Sequence, residues 1–199
     1  MRCLLCDRAV EKMETWTGLF SRRQQWTTCA SCMAKFERVS EQSYEGIRTI
    51  YVYNEAMRDW LHRLKFSQDA IIAHVFADEI KKLCSHYKKA VMVPIPMHSA
   101  KKRVRTFAHV DVLLEAAGVR YTHLLEKTTT DTQSQKSRVE RENSATLFTR
   151  NAIQLRKDTH LVLVDDIVTT GTTIRHAREV LERDGFTHIE VLVFISARM

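Results

Sequence analysis

The residues from Leu161 to Thr173 read "LVLVDDIVTTGTT": four apolar residues lead into two aspartates and then into threonine and glycine. A short apolar run without polar alternation predicts a strand buried on both faces, as in a parallel sheet covered by helices. Burial does not account for Asp165 and Asp166, because carboxylates removed from water need partners. In open α/β sheets, ligands bind beyond the carboxyl ends of the strands. The stretch therefore predicts a core strand that ends at a ligand site.

Strand and helix patterns alternate on both sides of this stretch, from about residue 41 onward. Strand patterns occupy residues 46–54, 90–97, 161–166 and 189–196. Apolar residues at helical spacing occupy residues 55–66, 70–87, 107–118 and 172–185. Alternation of this kind, with strands apolar on both faces, predicts an α/β domain built on a parallel sheet, over residues 41–199.

Composition sets broad limits on the class of protein. The chain has 199 residues, 44% of them hydrophobic, with five glycines and two prolines, which fits one sizeable core and at most one small module. No apolar run approaches the length of about 20 residues that a membrane span needs. The first residues become charged by Asp7, so we expect no secretory signal and a reducing, cytoplasmic location. The net charge of +7 favours acidic partners such as phosphates or nucleic acid.

Four cysteines near the start form two Cys-x-x-Cys pairs, Cys3 with Cys6 and Cys29 with Cys32. Each pair brings two thiolates to one metal ion from a tight turn, and two pairs complete a tetrahedron. Four protein ligands leave no position for water, so the pattern predicts a structural zinc that organises a small module over residues 1–40. The alternatives are a redox Cys-x-x-Cys motif or four unrelated thiols.

The threonine-rich segment predicts a phosphate site at the start of a helix. Its residues are Thr169, Thr170, Gly171, Thr172 and Thr173. Unpaired backbone N–H groups at a helix N-terminus suit an anion, and glycine permits the turn. Asp165 and Asp166 are suitable acceptors for the vicinal hydroxyls of a ribose, so together the two features predict a ribose 5-phosphate ligand. The alternative is a helix N-cap beside ordinary strand-end acids. No Walker A sequence occurs in the chain.

Residues 161–173 resemble the phosphoribosyl pyrophosphate (PRPP) signature of type I phosphoribosyltransferases. The chain as a whole is similar to the ComF (ComFC) family of competence proteins. In family order, this likeness lies in the four cysteines, "LHRLKF" (61–66), "VPIPMH" (93–98), "TDTQSQKSRVERENSATLF" (130–148) and the signature. It implies a zinc-finger module before a type I phosphoribosyltransferase-like domain, Mg²⁺ bound with PRPP, and a role in DNA uptake during natural transformation. The implied partner is the translocating ATPase ComFA.

The resemblance also implies roles for individual residues. Asp165 and Asp166 would hold the ribose hydroxyls, and the threonine-rich segment the 5-phosphate. The turn that begins with Val93 and Pro94 would meet the pyrophosphate. Lys65 lies in the family's "LKF" element, where its role is open.

A long polar segment, Thr128 to Arg150, resembles the flexible loop that closes over the pocket in this family. Its Arg138 and Arg141 would bring cationic groups to the departing pyrophosphate. The alternative is a solvated surface loop. The chain departs from the family pattern at residues 105–109, which read "RTFAH" where an Arg-Gly-Phe-Asn-Gln run is usual.

Three functional hypotheses stay open from the sequence. The basic run "KKRVR" (101–105) and Arg22-Arg23 favour sequence-tolerant binding of single-stranded DNA by an accessory protein of DNA uptake that retains the PRPP-type pocket. A true phosphoribosyltransferase of nucleotide metabolism would need an acceptor, and no motif identifies one. A scaffold would need neither ligand. The nine histidines are scattered, and the sequence predicts no metal site among them.

Overall fold

The structure is a computed structural model that describes residues 1–10, 26–40, 43–44, 46–97, 107–127 and 147–197. Its strands are β1 Ser43–Tyr44, β2 Ile47–Val52, β3 Val91–Pro94, β4 Leu125–Lys127, β5 Phe148–Arg150, β6 Leu161–Val168 and β7 Ile189–Ser196. Its α-helices are α1 Ala30–Met33, α2 Glu55–Phe66, α3 Ala77–Cys84, α4 His109–Ala116 and α5 Thr172–Arg183. Among these described residues, no helix has both the length and the apolar character needed to cross a membrane.

The main sheet has the strand order β1-β2-β7-β6-β3. β2, β7, β6 and β3 run parallel to their neighbours, and β1 adds an antiparallel edge. Leu161 of β6 lies opposite Ile189 of β7 on one side and Val91 of β3 on the other. The predicted parallel α/β architecture is confirmed, whereas the short edge strand β1 was not predicted.

Successive residues of β6 enter two hydrophobic cores on opposite faces of the sheet. Val162 and Val164 pack in a core with residues of α2, α3 and α4. Leu161 and Leu163 pack in a second core with residues of α5, β4 and β5. All four side chains are 0% exposed, and burying each one contributes about 1.5–3 kcal/mol. Both helical layers therefore depend on this strand, which also carries the two aspartates.

The single helix predicted over residues 70–87 is divided in the structure. A 3-10 segment, Ala70–Phe76, precedes α3, and a short 3-10 turn follows it. The indole N–H of Trp60 donates to the Ile72 carbonyl at 3.0 Å. In an α-helix, that carbonyl would accept a hydrogen bond from the backbone amide four residues later. This competition favours the tighter turn before α3.

β4 and β5 form a small antiparallel sheet that the sequence analysis did not predict. Phe148 of β5 is 1% exposed and packs in the second core. The polar segment predicted as a lid over residues 128–150 is therefore a strand over its last three residues. Residues 128–146 lie outside the described part of the chain.

The N-terminal residues dock onto the α/β domain. Phe36 is 8% exposed and packs edge-on against Phe76, with ring centroids 4.9 Å apart. A backbone bridge joins Arg38 to Tyr51 of β2. The guanidinium of Arg63 in α2 donates to the Leu4 carbonyl at 3.2 Å. A boundary near residue 40 thus stays a prediction, because hydrophobic and backbone contacts cross it.

Candidate functional site

A cavity of about 140 Å³ lies at the carboxyl end of β6. Six of its lining residues have polar or charged side chains and come from five elements: Lys65, His109, Lys127, Asp165, Asp166 and Thr173. Their convergence at the end of a parallel strand is the arrangement that α/β sheets use for ligands.

The opening beside the two aspartates follows from unequal strand lengths. β3 pairs with β6 only as far as Pro94 opposite Val164. On its other side β6 continues along β7 to Val168 opposite Ser196. The aspartates therefore lie inside the last part of β6, beyond the end of β3, where no strand of the described residues pairs with that side of β6. This difference in length makes room for a ligand.

Asp166 lies next to a lysine and a histidine from two helices. Its Oδ2 lies 2.7 Å from Nζ of Lys65 and 3.7 Å from Nδ1 of His109. The side chains of Asp166 and Lys65 are only 8% and 16% exposed. A buried ion pair of this kind is strongly destabilised when one partner is removed. Lys65 therefore fixes the position of the Asp166 carboxylate.

Asp165 lies in a different electrostatic environment. Its Oδ1 accepts a hydrogen bond from the Asp166 N–H at 2.9 Å. Burial, followed by the negative charge of Asp166, raises the pKa of Asp165 to about 8, against the opposing effects of that hydrogen bond, Lys65 and Lys127. Asp165 therefore holds its proton at a higher pH than an exposed aspartate does.

Replacing Asp165→Asn should make the fold more stable at alkaline pH. Because the folded-state pKa of Asp165 is raised, its protonated form favours folding below about pH 4, and this contribution is lost as the pH rises through about 8. Asparagine has no such dependence. We expect thermal melts to show a Tm above wild type by about 2–4 °C at pH 8, the shift that 1 kcal/mol causes in a chain of this size. The difference should shrink toward pH 4, and a constant difference would contradict the assignment.

The threonine-rich segment turns from β6 into α5 through Gly171. Gly171 has φ 75°, in the left-handed region that favours glycine, and immediately precedes α5. Oγ1 of Thr170 lies 3.0 Å from Oγ1 of Thr172. Thr173 lines the cavity, whereas Thr169 and Thr170 are exposed beside it. The N-terminus of α5 thus opens next to the paired acids.

Val93 and Pro94 are not among the residues that line the cavity, so their contact with a ligand stays a prediction. Both are buried residues of β3, and Val93 is 0% exposed in the second core. The three residues that follow β3, Ile95, Pro96 and Met97, line the cavity.

Several predicted contacts lie outside the described residues. These are Arg138, Arg141, the basic run 101–105 and Arg22-Arg23. The undescribed segments 98–106 and 128–146 begin directly after the cavity-lining residues Met97 and Lys127. The cavity volume of about 140 Å³ is smaller than the roughly 300–1,000 Å³ of most ligand sites.

His109 and Lys127 are site residues that the sequence analysis missed. His109 is the first residue of α4, and Lys127 is the last of β4. The only local sequence signal for either residue was a titratable side chain at the end of a helix or strand. His109 belongs to the "RTFAH" run that departs from the family pattern. This run therefore contributes a residue to the lining of the cavity.

The four cysteines come together as their spacing predicts. Their sulfur atoms all lie within 4.8 Å of one another, and those of Cys6 and Cys29 are 3.8 Å apart. Zn–S bonds of about 2.3 Å in a tetrahedron place neighbouring sulfurs about 3.8 Å apart. Hydrogen bonding to Ser31 lowers the pKa of Cys29 to about 6. The donor set therefore fits a structural zinc.

The chain is similar to one protein family over most of its length and to several relatives over nearly all of it. Residues 67–199 match the family described as phosphoribosyl transferase domain. Competence protein ComFC of Streptococcus pneumoniae (strain ATCC BAA-255 / R6) is 30% identical, over 98% of this chain and 100% of that protein. Competence protein ComFC of Bacillus subtilis (strain 168) is 28% identical, over 92% and 89%. DNA utilization protein YhgH of Escherichia coli (strain K12) is 24% identical, over 95% and 87%.

Solved structures are more distant. A structure of the allosteric regulatory enzyme of purine biosynthesis superposes with a TM-score of 0.39 and 21% identity, over 60% of this chain and 25% of that chain. A hypoxanthine phosphoribosyltransferase from Staphylococcus aureus superposes with a TM-score of 0.38 and 12% identity, over 65% and 64%. These scores are too low to transfer any residue of the site.

The domain match covers more than half of the chain, and the S. pneumoniae relative aligns over its whole length. Both findings confirm the resemblance carried by the cysteine pairs and the signature at residues 161–173. The chain belongs to the ComFC family of competence proteins and carries a phosphoribosyl transferase domain after its four-cysteine cluster.

Proposed function

We propose that this chain is a cytoplasmic protein of DNA uptake whose phosphoribosyl transferase domain binds PRPP, or a related ribose 5-phosphate, together with Mg²⁺. The observation that carries the proposal is one cavity lined by Asp165, Asp166 and the first turn of α5. Acids and helix-terminal amides side by side suit a ligand that has hydroxyls at one end and a phosphate at the other.

Different residues of the cavity would bind the ribose hydroxyls and the 5-phosphate of the ligand. Asp165 and Asp166 accept hydrogen bonds from the two ribose hydroxyls, with Lys65 holding Asp166 in place. Backbone N–H groups around Gly171 and the hydroxyl of Thr173 donate to the 5-phosphate. Carboxylate and phosphate oxygens are the donors that Mg²⁺ prefers, so the site fits the ion. When bound, Mg²⁺ supplies positive charge to the pyrophosphate oxygens.

Calorimetry of PRPP with Mg²⁺ tests the pocket. We expect measurable heat with the wild-type chain and an affinity at least about tenfold lower for Asp165→Ala, a loss of about 1.4 kcal/mol or more. The matched control is Asp59→Ala, which truncates an aspartate at an exposed position on α2 and should bind as wild type does. Absence of heat with the wild-type chain would contradict the proposal.

We also propose that the chain contacts incoming single-stranded DNA, the ComFA translocase, or both. The net charge of +7 supports contact with a polyanion, and the names of the relatives refer to competence and DNA utilization. No base-reading motif occurs in the sequence, so this binding would be sequence-tolerant and driven by phosphate contacts.

Retention of single-stranded DNA across a salt titration tests direct binding. We expect log affinity to fall linearly with log salt, with a slope of about −0.7 for each phosphate neutralised. Repeating the titration with Mg²⁺ and PRPP present measures any coupling between the two ligands. A flat salt dependence, or no retention at low salt, would leave ComFA as the proposed contact.

An active phosphoribosyltransferase is the second candidate, favoured by the domain match over residues 67–199. Such an enzyme releases pyrophosphate when a nucleophile attacks the ribose. Pyrophosphate release with a panel of bases or ammonia would support it. Binding of PRPP without release across the panel would favour a pocket that serves as a sensor.

A further inference from the structure

The strands β6 and β7 bring two histidines and a glutamate together at the opposite end of the sheet from the cavity. His160 immediately precedes β6, and His188 immediately precedes β7. Because Leu161 lies opposite Ile189, the two histidines are neighbours across the parallel pair. Glu190 follows His188 by two residues, so its side chain is on the same face.

The three side chains are close enough to share one ion. Nε2 of His160 lies 2.8 Å from Oε1 of Glu190, and Nε2 of His188 lies 4.0 Å from the same oxygen. The imidazole rings are stacked, with centroids 3.8 Å apart and an interplanar angle of 2°. One ligand atom from each residue falls within a span of 4.8 Å.

Nε2 of His160 is a buried atom that makes no hydrogen bond to the described residues. Oε1 of Glu190 lies 2.8 Å away, but the geometry between the two atoms does not suit a hydrogen bond. Buried nitrogen atoms without partners are rare in folded proteins, and each calls for an unseen water or ion. A cation between the imidazole and the carboxylate would satisfy both groups.

We propose that His160, His188 and Glu190 form a second metal site, for a divalent first-row transition ion such as Zn²⁺. Imidazole and carboxylate ligands suit these ions. Metal–ligand bonds of about 2.0–2.1 Å in a tetrahedron place neighbouring donors about 3.3 Å apart. That spacing lies between the distances of 2.8 and 4.0 Å in the structure, and rotation of one imidazole out of the parallel stack would turn both Nε2 atoms toward the ion.

The sheet already holds the backbone of both histidines. The carbonyl of His160 accepts from the Val91 N–H at 2.9 Å, and that of His188 accepts from the Leu161 N–H at 2.9 Å. The side chains of His188 and Glu190 are 59% and 47% exposed, which gives an ion access from solvent. Three protein ligands leave a coordination position for water or an external ligand, unlike the closed four-cysteine cluster.

Zinc titration of the full chain, purified with its cysteine-bound metal in place, tests this site. We expect calorimetry to show one further equivalent of Zn²⁺ bound by the wild-type chain. His188→Asn and Glu190→Gln should each weaken that binding by about tenfold or more. The controls His62→Asn and Glu182→Gln change an exposed histidine and an exposed glutamate elsewhere, and they should bind as wild type does.

Thermal melts give a second measurement from the same samples. Zinc in excess should raise the Tm of the wild-type chain and the controls but not of the two site variants, because only a folded site binds the ion. Absence of a second equivalent in the wild-type chain would overturn the proposal. Equal affinity of His188→Asn and wild type would overturn it as well. Neither outcome depends on PRPP.

Discussion

Asp166→Ala is expected to lower the free energy of unfolding by about 3 kcal/mol, because it leaves the ammonium of Lys65 buried without its carboxylate. The two charged atoms lie 2.7 Å apart, and both side chains are largely buried. The value is at the low end of the range for buried pairs, since Asp165 lies close enough to ionise and offset part of the loss. Denaturant unfolding monitored by circular dichroism measures the change.

A double-mutant cycle distinguishes the buried pair from general damage at the site. Lys65→Met with Asp166→Leu removes both charges and should recover most of the stability lost in Asp166→Ala. The exposed control Asp59→Ala should stay within about 0.5 kcal/mol of wild type. If Asp166→Ala lost no more than this control, the ion pair would have no structural role.

Removing the metal from the four-cysteine cluster is expected to have the largest effect on the N-terminal residues. Zinc contributes about 10–16 kcal/mol of binding free energy in comparable small modules. A chelator, or Cys29→Ser, should therefore unfold the residues around the cluster. The sheet should persist, because the second core on the far face of β6 contains no residue from this region. Hydrogen exchange resolved along the chain measures both outcomes.

The packing of Phe36 links the stability of the α/β domain to that of the N-terminal residues. Phe36 packs in the first core against Tyr51 and Phe76, so its release should also lower the Tm of the α/β domain. Phe36→Ala is the matched control, since it should cost about 3–5 kcal/mol while keeping the metal. Complete unfolding of the chain on chelation would show one cooperative unit and contradict a domain boundary near residue 40.

The elements that could be predicted from sequence are those with local signals. Unbroken apolar runs are typical of strands buried on both faces, which is why β6 and β7 were predicted closely. The spacing of Cys3, Cys6, Cys29 and Cys32 predicted a cluster, because each pair needs only a tight turn. Gly171 predicted the turn into α5, where its φ of 75° favours glycine.

Contacts between segments that are far apart in the chain had no local sequence signal. Lys65 and His109 come from two helices on the same face of the sheet, and only their packing brings both to Asp166. The burial of Val93 likewise depends on how far β3 pairs with β6, which the proline pattern does not specify.

The sequence by itself determined the class of fold, the cysteine cluster and the position of the two aspartates in the later part of a core strand. Hydrophobic periodicity and short ligand spacings act over a few residues, so they are readable along the chain. The tertiary structure alone decided the Lys65–Asp166 pair and the grouping of His160, His188 and Glu190. These depend on the register of parallel strands and on helix docking, which join residues that are far apart in the chain.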